Sequence, residues 1–252
     1  MNEIIINADD CGFNSIIDNA IEKYILDGKI SSTTIMANMY DLNGAKRLFE
    51  LYSNHISFGI HFNLTEGNPL LYSQVLLDYG YYVEDGNGNL VMNGQAFYYK
   101  RMPKFILKEI EKELLAQYYC LRDNNIKISH IDSHHHIHTS IGLLPVIPEI
   151  IQKTNCNKIR RMRNFMKPSF GRLFRQCWFN YIKLHQSNIK STDWFCSIED
   201  YFSVIETGCR PKGTIELMCH PGHSSLKENE LLNQSDFEKS KMYQLINYNQ
   251  II

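Results

Sequence analysis

Five of the ten histidines in this 252-residue chain fall within nine positions, His130-Ile131-Asp132-Ser133-His134-His135-His136-Ile137-His138. A hydrophobic core has no use for such a run: imidazole is costly to bury unpaired, and it is the commonest metal ligand near neutral pH. The interleaved isoleucines and aspartate, far from either terminus, set it apart from a surface histidine tract. With Lys127-Ile128-Ser129 leading in as a strand, alternate side chains share a face, which groups Asp132, His134, His136 and His138. One strand rarely completes a metal site, so partners are expected elsewhere in the chain.

Three other segments end in groups of the same kind. Ile4-Ile5-Ile6 runs into Asn7-Ala8-Asp9-Asp10-Cys11-Gly12, Ile56-Ser57-Phe58-Gly59-Ile60 runs into His61, and Glu216-Leu217-Met218-Cys219 runs into His220-Pro221-Gly222. Adjacent aspartates repel each other and are poor strand formers. The helix that follows them has better caps in Asn14 and Ser15, which leaves the pair free for other work. A lone histidine such as His61 is often a satisfied core residue. Its place at a strand end, in a chain that alternates strands with helices, favours a ligand site instead. Pro221 stops the ladder and Gly222 turns the chain, exposing His220.

One carboxylate and two imidazoles on one face of a divalent cation leave positions open. That suits metal-assisted hydrolysis, in which the ion acidifies water and polarises a carbonyl, and also suits two-histidine-one-carboxylate iron oxygenases. A second carboxylate beside the first and a histidine on the far side favour hydrolysis, with Asp9 as base and His220 as acid toward a leaving amine. Arg160, Arg161 and Arg163 mark another strand end, either a solvated edge or a group that orients a carboxylate or sugar hydroxyls.

These groups need a scaffold that gathers strand ends. Strands read at 4–6, 32–37, 56–65 and 213–219, with strand ends at 127–132 and 157–164. Helices read from Asn14 to Gly28 (Ile17, Ile21, Tyr24 and Ile25 on one face), Gly44 to Tyr52, Pro103 to Asn124, Leu143 to Thr154 and Glu199 to Thr207. The Pro103 helix turns Phe105, Ile106, Ile110, Leu114 and Tyr118 inward, and the aromatic stretch 165–192 reads as further helix. Residues 68–103 break the alternation, with a Gly/Asn-turn hairpin inside Tyr79–Met92, and are expected to wall a substrate over the strand ends. The tail Ser224–Ile252 is polar and weakly periodic. No linker divides the chain, which reads as a single domain over 1–252.

Composition narrows the class further. With 44% hydrophobic residues, 21% charged residues and a net charge of -1, the chain has material for a core and no basic excess for nucleic acid or membrane surfaces. The seven cysteines are scattered without a Cys-x-x-Cys pair, against a disulfide framework or thiolate zinc site. Met1–Asn7 lacks the features of a signal peptide, and no stretch approaches a membrane span, so a cytoplasmic location is expected. Fifteen tyrosines and thirteen phenylalanines fit sugar binding and core packing equally well.

Taken together, Asn7-Ala8-Asp9-Asp10-Cys11-Gly12, Gly59-Ile60-His61-Phe62-Asn63-Leu64-Thr65, the histidine run and Glu216-Leu217-Met218-Cys219-His220-Pro221-Gly222 resemble the signature blocks of the YdjC-like carbohydrate deacetylases, including the chitooligosaccharide deacetylases. The blocks lie in family order between residues 7 and 222. The resemblance implies an irregular (β/α) barrel, TIM-barrel-like and akin to the polysaccharide deacetylases. It also implies one divalent metal ion, Mg2+ or Zn2+, and removal of acetyl from an N-acetylated mono- or oligosaccharide. By matching position, Asp10, His61 and His134 would hold the metal, Asp9 would be the base and His220 the acid. Asp132 would orient a histidine, and Arg160, Arg163 and His136 would stand behind the site or against substrate.

The chain departs from that pattern in two places. Cys11 stands where phenylalanine usually follows the paired aspartates. After the His-Pro-Gly block only Asp236 to Asn247 remains for a last helix, which leaves barrel closure open and a homodimer contact as one way to cover the gap. Other chemistries fit the same constellation: a phosphoesterase or another amidohydrolase, if the three arginines lie near the metal, or a sugar-binding relative without turnover.

Overall fold

The computed structural model describes residues 2–98, 100–165, 172–209, 211–223, 226–234 and 243–251. The N-terminal isoleucines form strand β1 (Asn2–Cys11). Ile4 and Ile6 join the main apolar core with Ile17 and Ile21 of helix α1 (Ser15–Leu26), while Ile5 faces the other way onto Ile246, Tyr248 and Ile251. Helix α1 is capped as its sequence suggests: the Asn14 side chain accepts from the Ile16 and Ile17 amides, so neither aspartate is used as its cap.

Strand–helix alternation continues through β2 (Ser32–Ile35), α2 (Leu42–Tyr52) and β3 (Ser57–Phe62). The insertion follows, as α3 (Gln74–Asp78), the antiparallel hairpin β4 (Tyr82–Glu84) and β5 (Leu90–Met92), and α4 (Gly94–Tyr98). Helix α5 (Lys104–Asp123) starts after Pro103 and buries Ile106, Ile110 and Leu114. Phe105 lies off that stripe and is exposed, edge-on to Tyr79 at 4.9 Å, which corrects its expected inward place. The remaining elements are β6 (Ile131–Ser133), α6 (Ile147–Thr154), α7 (Arg172–His185), β7 (Trp194–Ser197), α8 (Ile198–Ile205), β8 (Thr214–Cys219), α9 (Leu226–Gln234) and β9 (Tyr243–Leu245). The helix expected from Leu143 thus begins at Ile147, and of the 165–192 stretch residues 166–171 lie outside the described residues.

All strands of the main sheet are parallel, in the order β6-β3-β2-β1-β8-β7. Between β6 and β7 the curl is carried by the single parallel bridges Ile131–Ile159 and Lys158–Lys190, and by the Asn164 and Phe165 amides donating to Phe195 O. The sheet is the expected irregular α/β barrel. Among the described residues no helix is long and apolar enough to cross a membrane, and none of the seven cysteines is paired in a disulfide.

The C-terminal expectation needs correcting. Residues 236–242 lie outside the described residues, but Tyr243–Leu245 is a strand, not the end of a helix. It pairs with Asn2–Ile4 on the edge of β1 not taken by β8. The chain then turns so that Tyr248 enters the barrel floor, with its amide donating to Ser57 Oγ at 3.0 Å. The floor is thus covered by this chain's own tail.

One close approach shows how tightly that floor is filled. A Cβ on Gly59 would lie 2.5 Å from His130 Cε1, and the His130 ring is fully buried and stacked on Tyr248, with 3.6 Å between ring centroids. Gly59→Ala is expected to cost about 1–3 kcal/mol by overpacking and to lower the melting midpoint by roughly 2–4 °C per kcal/mol. A thermal melt unchanged from wild type would contradict this packing.

Candidate active site

Every sequence-derived candidate except Arg161 and Arg163 lies at or just beneath the C-terminal ends of the barrel strands, around a cleft of about 980 Å3. Two backbone irregularities shape it. The β1–β2 register shifts between Ala8 and Cys11, and Asp10 adopts a left-handed φ of 68°. This bulge breaks the one-in, one-out alternation of a strand, so that consecutive aspartates both line the cleft. The second irregularity follows β6. His135 and His136 have φ of 51° and 54°, so the run leaves the strand at Ser133 and continues as a 3-10 turn.

The alternation expected for the histidine run therefore fails. His134 turns to Asp10, exposed His135 meets Thr65 Oγ1 at 2.9 Å, His136 sits edge-on to Phe195, and His138 is buried against Ser133 and the Arg160 carbonyl. Only His134, from this run, joins Asp10 and His61 in one cluster of ligand-type atoms.

That cluster fits a divalent cation. Asp10 Oδ1 lies 2.9 Å from His134 Nδ1 and 3.2 Å from His61 Nε2. Such spacings match the edge between neighbouring ligands at roughly 2.1 Å from an octahedral ion, about 3 Å. The other nitrogen of His61, Nδ1, is held by Asp132 Oδ1 at 2.6 Å, which leaves Nε2 directed at Asp10. A third imidazole, His223, brings Nε2 to 3.1 Å from Asp10 Oδ2. Burial opposes charge on the His61 ring, yet Asp132 and Asp10 push its pKa up to about 10, a direct sign that this pocket draws positive charge. Two other groupings compete less well. Asp9 and Asp132, which with His61 form one, are already paired with Arg160, and in the other Glu66 and His135 are more open to solvent.

Beneath the cluster, Arg160 is fully buried and shared by three carboxylates. Nη1 and Nη2 grip Asp9 in a two-point clamp at 2.6 Å each, Nη1 also reaches Asp132 at 2.7 Å, and Nε donates to Glu216 at 2.7 Å. Burial would raise the Asp9 pKa, but the guanidinium outweighs it and holds Asp9 well below the usual carboxylate range. Arg160 thus stands behind the site and has no free face for substrate. Arg161 lies over the Phe179 ring and Arg163 reaches Asp200 at 3.4 Å, so neither is among the cleft-lining residues. This corrects the expectation for Arg163.

Across the cleft, His220 Nδ1 lies 3.4 Å from Glu228 Oε2, and its backbone amide donates to Glu228 Oε1. Burial would lower its pKa, but Glu228 and the two aspartates outweigh it and raise it above that of a free imidazole. Of the insertion's described residues only Tyr98 lines the cleft, with its hydroxyl donating to the His135 carbonyl. The hairpin packs to one side, where the Met92 amide donates to Leu64 O just past the end of β3, and its described residues do not line the cleft as expected.

Comparison with known proteins places the chain in a family. A family model described as "YdjC-like protein" matches residues 3–248. The chain belongs to the YdjC-like family. A carbohydrate deacetylase of Halalkalibacterium halodurans is 30% identical over 247 residues, covering 92% of this chain and 95% of the relative. A carbohydrate deacetylase of Geobacillus stearothermophilus is 28% identical, covering 87% and 79%. One from Vibrio cholerae is 28% identical, covering 91% and 86%. A crystal structure of an Enterococcus faecalis protein described as acting in cellobiose-phosphate cleavage shares the fold, with a TM-score of 0.70 at 21% identity over 99% of this chain and 98% of that one.

Sequence reasoning missed four residues of this YdjC-like site: Glu66, Glu216, His223 and Glu228. Glu216 lies in a block that was read for its histidine alone. It is a carboxylate in the middle of an apolar strand, and that signal was available. Glu66 is set by Asn63, whose side chain accepts the Thr65 and Glu66 amides while Gln117 of α5 holds the Asn63 backbone. Replacing Asp132 by Asn should weaken divalent metal binding about 10–100-fold, because the His61 ring loses the partner that orients it. Metal titration by calorimetry checks this, and an unchanged affinity would remove Asp132 from that role.

Proposed function

We propose that this chain is a metal-dependent carbohydrate N-deacetylase that removes acetyl from an N-acetylated mono- or oligosaccharide. Membership of the YdjC-like family, with relatives named carbohydrate deacetylases along most of its length, makes it an enzyme of that group. The metal dependence rests on one observation: a buried carboxylate, Asp10, facing His61 and His134 at ligand spacing, with His61 fixed from behind by Asp132. Asp10, His61 and His134 would hold one divalent ion. Two imidazoles suit zinc or another transition ion, and hard carboxylate oxygen suits magnesium. Bound there, such an ion lowers the pKa of water and polarises a carbonyl oxygen.

The remaining work falls to the chain's own side chains. Asp9 stays anionic throughout the working pH range because Arg160 holds it. It is a weak base that accepts a proton only from a water that has been acidified, and the clamp presents it in one orientation. His220, kept toward its protonated form beside Glu228, donates a proton to the leaving amine nitrogen. The cleft volume, near the upper end for small-molecule sites, leaves room for more than one sugar ring. Phe13 and Tyr98 offer flat faces to a pyranose.

The phosphoesterase alternative called for cationic help from the arginines, and all three are engaged elsewhere. With N,N′-diacetylchitobiose as substrate, Asp9→Asn is expected to lower acetate release by about 10²–10⁴-fold while metal content stays near that of wild type. Wild-type turnover in this variant would remove Asp9 as base. Phosphate release from phosphorylated sugars in place of acetate release would replace the reading altogether.

A further inference from the structure

Tyr248 lies in a 3-10 turn (Tyr248–Gln250) four residues before the last of the sequence, yet it is fully buried beneath the site. Four contacts fix it. Its ring stacks on His130 with centroids 3.6 Å apart and planes at 7°. Its amide donates to Ser57 Oγ at 3.0 Å, and its carbonyl accepts from Lys158 Nζ at 2.6 Å. Its hydroxyl donates to Glu216 Oε2, the oxygen of that carboxylate not taken by Arg160 Nε. Glu216 is thus gripped between a hydroxyl delivered by the tail and a guanidinium that grips Asp9.

We infer that Tyr248 is a positioning residue for turnover: it holds Glu216 against Arg160 and thereby fixes the clamp that orients Asp9. The inference rests on the role proposed above for Asp9.

Three carboxylates compete for a single cation. Arg160 has Asp9, Asp132 and Glu216 as partners, with no exposed surface where water could take a place. Its orientation is therefore set by the balance among three carboxylates. Burial pushes Glu216 up to about 7, which weakens its hold on Arg160 Nε relative to a fully ionised carboxylate. The Tyr248 hydroxyl favours the ionised form and keeps the third anchor in place. Without it Glu216 loses the contact that fixes Oε2 and holds Arg160 Nε less firmly, so the guanidinium shifts toward Asp9 and Asp132 and changes the direction in which Asp9 presents its oxygens. Tyr248 touches neither the cleft nor the ligand cluster, so substrate affinity is unaffected.

Tyr248→Phe tests this, since the ring can remain stacked on His130 while only the hydroxyl is lost. With N,N′-diacetylchitobiose, kcat is expected to fall about 10–100-fold at a KM within about twofold of wild type, the usual range for outer partners of a site. Glu216→Gln should lower kcat similarly, and the double variant should be no slower than Glu216→Gln alone, because both changes cut one connection. An unchanged kcat in Tyr248→Phe, a loss confined to KM or to the melting midpoint, or losses that multiply in the double variant would each overturn the inference. The Arg160 Nε–H resonance gives a readout independent of turnover. It should move or broaden in Tyr248→Phe, and an unperturbed signal would count against the role. Should the wild type release no acetate, the functional reading fails by itself, and this resonance still decides whether Tyr248 sets Arg160.

Discussion

The rest of the site depends on one buried guanidinium divided among three carboxylates. Arg160 has no exposure to solvent, and Asp9, Asp132 and Glu216 approach it from β1, β6 and β8. Removing the guanidinium would leave three buried carboxylates without a cation, and an uncompensated buried charge usually costs about 3–5 kcal/mol. The contact therefore ties strands far apart in sequence, and it also sets the charge balance above it. With Asp10 and Glu228 added, five carboxylates among the described residues are buried in or under the cleft against one buried arginine. The deficit of positive charge is met by imidazole, which explains why His61 is pushed so far toward protonation, and it is the deficit that a divalent ion at Asp10 would fill.

The interior of the barrel explains how these groups are delivered. Along β1, Ile5, Asn7 and Asp9 alternate inward. Thr34 on β2 joins Asn7 to Asp132 and His61, and His130 and Asp132 share the same face leading into and along β6. The barrel is thus filled by a column of hydrogen-bonded polar side chains resting on Tyr248 and Ile5, where many barrels use stacked aliphatic layers. Such a column depends on its mutual hydrogen bonds, and a single strand register maintains them.

Much of this was legible in the sequence, and what was not has physical causes. The strand–helix alternation and the strand ends carrying Asp9, Asp10, His61 and His220 followed from apolar runs and breakers, and the carried-over ligand trio falls into one cluster. The histidine run misled because two successive left-handed residues are a property of local backbone sterics that no period-two pattern reveals. The three arginines looked alike in sequence, and only burial separates Arg160, with three carboxylates, from Arg161 on an aromatic ring and Arg163 at a half-exposed pair. The last strand was hidden because Tyr243–Leu245 is short and gains its structure by pairing with β1, a contact that spans nearly the whole chain.

The central claim is that Asp10, His61 and His134 form a metal site from which Arg160 keeps Asp9 and Asp132 apart. Anomalous X-ray scattering from crystals of Mn2+-loaded protein tests it most directly. The account predicts one anomalous peak within bonding distance of Asp10, His61 and His134, with Asp9 still clamped by Arg160. A peak among Glu66, His134 and His135, one bonded to Asp9, or none at all at saturating metal would contradict it.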